Sequence, residues 1–294
     1  MALPALSMLA GCHPDVVFWV HPRVAGLLPV FFPDAGIRTG SRFPGNANDR
    51  LLLMTGSFRS ALQGFLSRIP VRTGYGTDMR RLLLTESLEP PAGREHHHSE
   101  DYIRLASAIG CRARPAVVKP CVEPLGAPHA AFFPGARYGS AKRWGGFGEL
   151  ASLVAVSTGL PVVLYGSEGE EEELRVTARG REACSVEAGL ELPVLVSRLL
   201  KSVLTVGNDS GGVHLSALLG VPTVTVFGST SPLWTAPSGM FTAEVTSSRE
   251  CSPCFRRDCP KGRAACLSDI TPRMVLDESL GLLRKSGAAV SSHV

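Results

Sequence analysis

An α/β protein, with parallel sheets covered by helices, is what the sequence predicts, and three observations predict it. Short apolar, β-branched runs alternate with helical patterns along the chain, the mark of parallel strands joined by crossover helices. In the second half these runs lead through glycine-containing loops into amphipathic stretches, as in a doubly wound sheet that binds ligands at the carboxyl ends of its strands. A chain of 294 residues with 44% hydrophobic side chains suits two domains better than one.

Taken in order, Leu3 to Leu9 reads as a helix, so the first half opens on a helix with no strand before it. Val16 to Val20 and Leu51 to Met54 are its strand candidates. Between Leu88 and Ala131 the periodicity weakens and proline accumulates, at Pro90, Pro91, Pro115, Pro120, Pro124 and Pro128. The later part of this stretch is the expected linker, dividing the chain into domains 1–125 and 126–294. His96, His97 and His98 are adjacent; neighbouring side chains cannot all face one ion, and helical ligand pairs are spaced i, i+4, so a solvated loop or helix start is expected there.

The second half begins with a strand at Ala130 to Phe133, then a helix with Phe147, Leu150, Ala151 and Val154 at i, i+3, i+4, i+7. A strand at Pro161 to Tyr165 follows, then a helix carrying Leu192, Leu195, Val196 and Leu199. Val203 to Val206 is the next strand, Gly211 to Leu219 a short helix, and Thr223 to Phe227 a further strand.

Composition excludes several classes. No apolar run approaches the roughly 20 residues that span a bilayer. Leu9-Ala10-Gly11-Cys12 matches a lipoprotein cleavage pattern, but no Lys or Arg precedes it and Pro4 interrupts it, unlike an export signal. The formal net charge of +4 is spread along the chain, which implies no nucleic acid and leaves phosphates or an anionic membrane surface as partners. Eight cysteines in a chain this long do not form a secreted disulfide scaffold, so a reducing cytoplasm is expected.

Three junctions can carry chemistry. Pro134 to Trp144 holds glycines, Ser140, Lys142 and Arg143, an environment suited to a diphosphate, although a surface loop with incidental basic residues has the same composition. Gly166 to Glu173 places carboxylates at a helix start, where the dipole favours them; Glu170 alone is kept as a ligand contact. Gly207 to His214 is the most informative. Asp209 can accept from sugar hydroxyls, the N–H groups of Ser210, Gly211 and Gly212 face an anion, and His214 lies a turn further on. The competing reading is that Asn208 or Asp209 caps the helix and His214 packs. Cys251, Cys254, Cys259 and Cys266 could bind zinc, but the second pair is not CxxC, so free or redox-active thiols are expected over a structural metal.

The ordered segments PGARYGSAKRW, GSEGEEEE, GNDSGGVHLSALLGVPTVTVFGSTSP and CSPCFRRDCPKGRAACL resemble the motifs of glycosyltransferase family 9, the lipopolysaccharide heptosyltransferases, nearest its heptosyltransferase II branch. Arg72-Thr73-Gly74-Tyr75, followed by Asp78, Arg80 and Arg81, is similar to that branch's acceptor-side segment. The resemblance implies a GT-B architecture of two Rossmann-like doubly wound domains facing a cleft, with ADP-heptose on the second and the heptosyl-Kdo2-lipid A inner core on the first. It implies an inverting transfer in which Lys142 holds the diphosphate and stabilises the leaving group, assisted by Tyr138, Gly139 and Ser140. Asp209 would contact the heptose, Ser210, Gly211, Gly212 and His214 the phosphate and nucleotide side, and Glu170 the adenosine side. Arg72, Tyr75, Arg80 and Arg81 would face the acceptor.

No cofactor is implied, and no Asp-x-Asp pair occurs. Members open with a strand and a Gly-Asp loop before a helix resembling Met1 to Leu6, and that Asp is the expected base. Here the first strand and the Gly-Asp are missing from the sequence, so the catalytic base is unassigned. A non-catalytic sugar-nucleotide-binding remnant is the alternative. The expected location is the cytoplasm, peripheral on the inner face of the cytoplasmic membrane.

Overall fold

The computed structural model describes residues 1–40, 43, 45, 46, 49–115, 118–262 and 264–288. Two compact units divide the chain, Met1–Cys121 and Val122–Val294.

In the first unit, α1 (Leu3–Cys12) starts with Pro4 in its first turn, where a missing N–H costs nothing. It buries Ala5, Met8 and Leu9. Strand β1 (Val17–Trp19) is followed by the short helices α2 (Pro22–Ala25) and α3 (Leu28–Phe31) and pairs in parallel with β2 (Gly36–Arg38). Strand β3 (Arg50–Leu53), helix α4 (Phe58–Leu66), β4 (Val71–Tyr75) and β5 (Glu86–Leu88) form a second parallel sheet, ordered β3-β4-β5. Helix α5 (His98–Ala108) follows and packs on α1. The adjacent histidines are its start: His97 caps it by accepting from Ser99 N, and His96 and His98 each bond one oxygen of Asp101, at 2.7 and 2.8 Å.

Composition favours reduced thiols throughout, but Cys12 and Cys111 are joined by a disulfide. That bond corrects the expectation at these two positions. It also engages the Cys12 sulfur that lipoprotein acylation would need.

The second unit is one six-stranded parallel sheet, built from β6 (His129–Phe133), α6 (Phe147–Thr158), β7 (Val162–Gly166), α7 (Glu171–Ala178), β8 (Cys184–Ala188), α8 (Leu192–Leu199), β9 (Ser202–Asn208), α9 (Gly211–Leu218) and β10 (Thr223–Phe227). Helix α10 (Pro232–Thr235), β11 (Thr242–Thr246), α11 (Ala265–Ser268) and α12 (Pro272–Ser286) complete it. The order is β11-β10-β9-β6-β7-β8. Strands β6 and β10 are buried along their whole length, which is why they read as unbroken apolar runs. Phe132, Leu164, Leu204, Val206, Val224 and Val226 fill the core with Phe147, Leu150 and Leu276 from the covering helices.

From β6 the chain winds outward through β7 to β8, then returns to β9 on the other side of β6 and continues to β11. The connections after β6 and β9 therefore leave in opposite directions, and a crevice opens between them at the strands' carboxyl ends. Among the described residues no helix is long and apolar enough to cross a membrane.

Candidate donor site at the β6–β9 switch point

The loop after β6 contains a 3-10 turn, Ser140–Lys142, that turns Lys142 toward the end of β9. Its Nζ donates to Oδ2 of Asp209 at 2.5 Å, and the two side chains are only 11% and 4% exposed. Thr230 and Thr235 hydroxyls donate to the same oxygen at 2.8 and 2.9 Å. His214 Nε2 lies 3.5 Å from the other oxygen. Burial pushes the Asp209 carboxyl up, but the His214 hydrogen bond, the charge and hydrogen bond of Lys142, and Thr230 outweigh it and hold the group at about 2.

Asp209 was expected to receive sugar hydroxyls, yet one of its oxygens already takes three protein donors. In this geometry it orients Lys142. Because its folded pKa lies below the unfolded 3.8, the ionised Asp209, through His214, Lys142 and Thr230 together, contributes about 2 kcal/mol above the unfolded pKa. That contribution is lost as pH falls from about 4 to about 2. Unfolding of the second unit, followed by denaturant titration at several pH values, is expected to weaken over that window in the wild type. The change should be smaller in Asp209→Asn; equal pH slopes in the two proteins would contradict it.

Asn208 is fully buried beside this pair. Its Nδ2 donates to Pro134 O at 2.5 Å, and its Oδ1 accepts from Trp144 N at 3.2 Å, so one amide fastens both ends of the β6 loop to β9. It is therefore not a helix cap. Ser210 occupies the N-cap position of α9 without a side-chain cap bond, leaving the first N–H groups of the helix open to an anion. A Cβ at Gly212 would overlap the Phe133 ring, so only glycine lets α9 begin this close to β6.

Tyr138 lies under two cations, Lys142 Nζ at 5.0 Å and the Arg257 guanidinium at 5.3 Å from its ring centre. Its hydroxyl donates to Phe255 O at 2.8 Å, Ser140 Oγ donates to Asp258 Oδ1 at 2.7 Å, and Ala141 N donates to Arg257 O at 2.9 Å. Gly139, with φ of 154°, passes so near the Arg257 backbone that no Cβ would fit. The loop after β6 is thus braced by residues 255–258, inside the cysteine-rich segment. Sequence reading missed this brace and the two threonines. The only available signal for Thr230 and Thr235 was a pair of hydroxyls just after a buried strand.

Glu170 turns its carboxylate back to Ser167, accepting from its N at 2.9 Å and its Oγ at 2.7 Å. It packs where a Cβ on Gly135 would stand and lies 3.6 Å from Arg143, beside the β6 loop. The free thiols Cys251 and Cys254 are exposed, Cys259 is half-buried and Cys266 buried. Among the described residues no three His, Cys, Asp or Glu side chains are arranged to hold a metal.

The residues expected at the acceptor side belong to the first unit, and three of them tie its backbone. Arg80 is fully buried, with Nε donating to Tyr75 O at 2.6 Å and Nη1 bonded to Thr55 O. Arg72 Nε donates to Leu83 O at 2.7 Å. Tyr75 donates to Asp101 O at 2.7 Å, and burial, first, then the Asp101 charge push its phenol up to about 12. Arg81 alone of the four is exposed, 3.6 Å from Glu89.

The model for glycosyltransferase family 9 (heptosyltransferase) matches residues 38–265. Lipopolysaccharide heptosyltransferase 2 of Salmonella typhimurium is 30% identical over 269 residues, covering 81% of this chain and 76% of its own length. The Escherichia coli K12 protein of the same name is 31% identical over 270 residues, covering 82% and 77%. The solved structure of E. coli ADP-heptose lps heptosyltransferase II superimposes with a TM-score of 0.79 at 26% identity, covering 98% of this chain and 95% of that one.

Proposed function

The chain belongs to glycosyltransferase family 9, the heptosyltransferases, and has their GT-B-like α/β fold; from that premise we propose that it moves L-glycero-D-manno-heptose from ADP-heptose to the heptosyl-Kdo2-lipid A inner core of lipopolysaccharide. The observation that carries the donor side is the Lys142–Asp209 pair at 2.5 Å, set at the switch point beside the uncapped start of α9.

In this reading an acceptor hydroxyl attacks the anomeric carbon from the face opposite the diphosphate, with inversion. The bond from that carbon to the ADP oxygen breaks, and its electron pair leaves with ADP. Lys142 and the N–H groups of Ser210, Gly211 and Gly212 meet the charge growing on the diphosphate, and they do so best where water is excluded. Asp209 holds the ammonium in place, and Tyr138 and Ser140 keep the loop braced. Glu170, next to the same loop, takes the adenosine side. The reaction so described calls on no cofactor, and the base that accepts the acceptor proton is unassigned. The enzyme works in the cytoplasm, at the inner face of the membrane that carries its lipid acceptor.

The test incubates the purified chain with ADP-heptose and a lipopolysaccharide truncated after its first heptose and follows both ADP release and the mass of the glycolipid. A gain of one heptose with equimolar ADP is expected. Tight ADP-heptose binding without transfer would overturn the enzyme reading in favour of a sugar-nucleotide-binding protein.

A further inference from the structure

Between β4 and β5 the first unit projects a tight turn whose apolar side chains point the wrong way for a folded protein. Met79 is 82% exposed and Leu82 86% exposed. They flank the start and the body of the 3-10 turn Arg80–Leu83, with Met79 at its N-cap and Leu82 inside it. The opposite side is anchored. Arg80 is fully buried and holds the turn to Tyr75 O, Thr55 O and Ser57 O, while Leu83 and Leu84 pack with Leu53 and Ala61.

The anchoring is firm enough to keep two successive non-glycine residues, Asp78 and Met79, in the left-handed region, at φ of 50° and 59°. Such strain persists only where the surroundings over-determine it. The turn is therefore a stiff protrusion tipped by Met79 and Leu82.

The turn packs on α4, which adds Phe58, Phe65 and Leu66, at 45%, 48% and 68% exposure. Exposed basic residues are interleaved with these apolar ones, Arg59 on α4, Arg68 just after it and Arg81 in the turn. From Ser57 to Thr85 one carboxylate, Asp78, stands against these three exposed arginines; the other two arginines of the stretch, Arg72 and Arg80, are engaged by backbone carbonyls. The next acidic residues, Glu86 and Glu89, are ion-paired with Arg50 and Arg81. Apolar side chains set among cations match a bilayer with anionic headgroups, where methylenes enter the acyl boundary and arginines stay with the phosphates. A protein partner would be the alternative occupant, but the one-sided charge favours anionic lipid.

We infer that the Met79–Leu82 turn and the exposed face of α4 form a surface that inserts shallowly into an anionic membrane. The contact follows from the surface itself; its purpose, presenting a lipid-anchored acceptor to the enzyme, rests on the proposed function.

The test is flotation of the full chain with vesicles of phosphatidylethanolamine and phosphatidylglycerol, against vesicles of phosphatidylcholine. Binding to the anionic vesicles is expected, weakened by salt and by Arg59→Glu. The double variant Met79→Ser, Leu82→Ser should lose roughly tenfold or more of that binding with an unchanged melting temperature, since both side chains face solvent. Transfer to a deacylated, water-soluble acceptor should be unaffected by the double variant, and transfer to a vesicle-embedded acceptor reduced. Failure of the wild type to float with anionic vesicles, equal flotation of the double variant, or self-association through this face would overturn the inference. Loss of all transfer with flotation intact would sink the proposed reaction and leave the membrane contact standing.

Discussion

Lys142→Met is expected to lower kcat/KM for heptose transfer by about 10²–10³-fold, the effect of losing one preorganised donor to a developing anion. Methionine keeps an unbranched side chain of similar reach and removes the ammonium, together with its contact over the Tyr138 ring. The same change leaves Asp209 with its threonine donors but without its neighbouring cation, and breaking a buried pair from one side costs about 3–5 kcal/mol of stability. The two losses separate in the double variant Lys142→Met, Asp209→Asn. Its melting temperature should recover most of the deficit, because no unpaired charge remains, while transfer should not recover. Steady-state kinetics below the melting transition, with calorimetric titration of ADP alongside, measures both. Wild-type kinetics in a folded Lys142→Met protein would remove Lys142 from the reaction.

The second large effect concerns the first unit. The Cys12–Cys111 bond closes a loop with a sequence separation of 99, linking the end of α1 to the chain just beyond α5. Restricting so long a loop in the unfolded chain is worth about 2–5 kcal/mol. Treatment with dithiothreitol, or the pair Cys12→Ser and Cys111→Ser, is expected to move one unfolding transition to lower denaturant and leave the transition of the second unit in place. Superimposable curves in oxidising and reducing buffer would show that the bond does not form in solution. A reducing cytoplasm opens such bonds, so in the proposed location the first unit would work without this stabilisation.

How much of this was legible in the sequence depended on burial. Strands β6, β7, β9 and β10 are central or nearly so, read as apolar runs, and lie within a residue or two of expectation. The edge strands β8 and β11 were not read, because most of their side chains are only partly buried or exposed and Cys184-Ser-Val-Glu-Ala or Thr242-Ala-Glu-Val-Thr shows no apolar run. In the first unit β4 is built from Val-Arg-Thr-Gly-Tyr, whose one glycine and one arginine mask a strand that neighbours hold in place. At the site, Lys142 and Asp209 were legible singly, as polar residues after strands. Their pairing was not, since spacing along the chain does not reveal that β6 lies beside β9. Arg80 and Arg81 look alike in sequence; a 3-10 turn buries one and exposes the other.

The order of the sheet has a consequence for how the protein lasts in a cell. Lys142 and Asp209 are 67 residues apart in the chain and become neighbours only once β9 has paired with β6, so no state of the second unit in which that pairing is open holds the site. A ligand of that site then binds the native second unit alone and shifts its folding equilibrium by mass action. Nucleotide-sugar supply would thereby set how long the second unit survives proteolysis, and a shortage of donor would deplete the enzyme as well as its substrate.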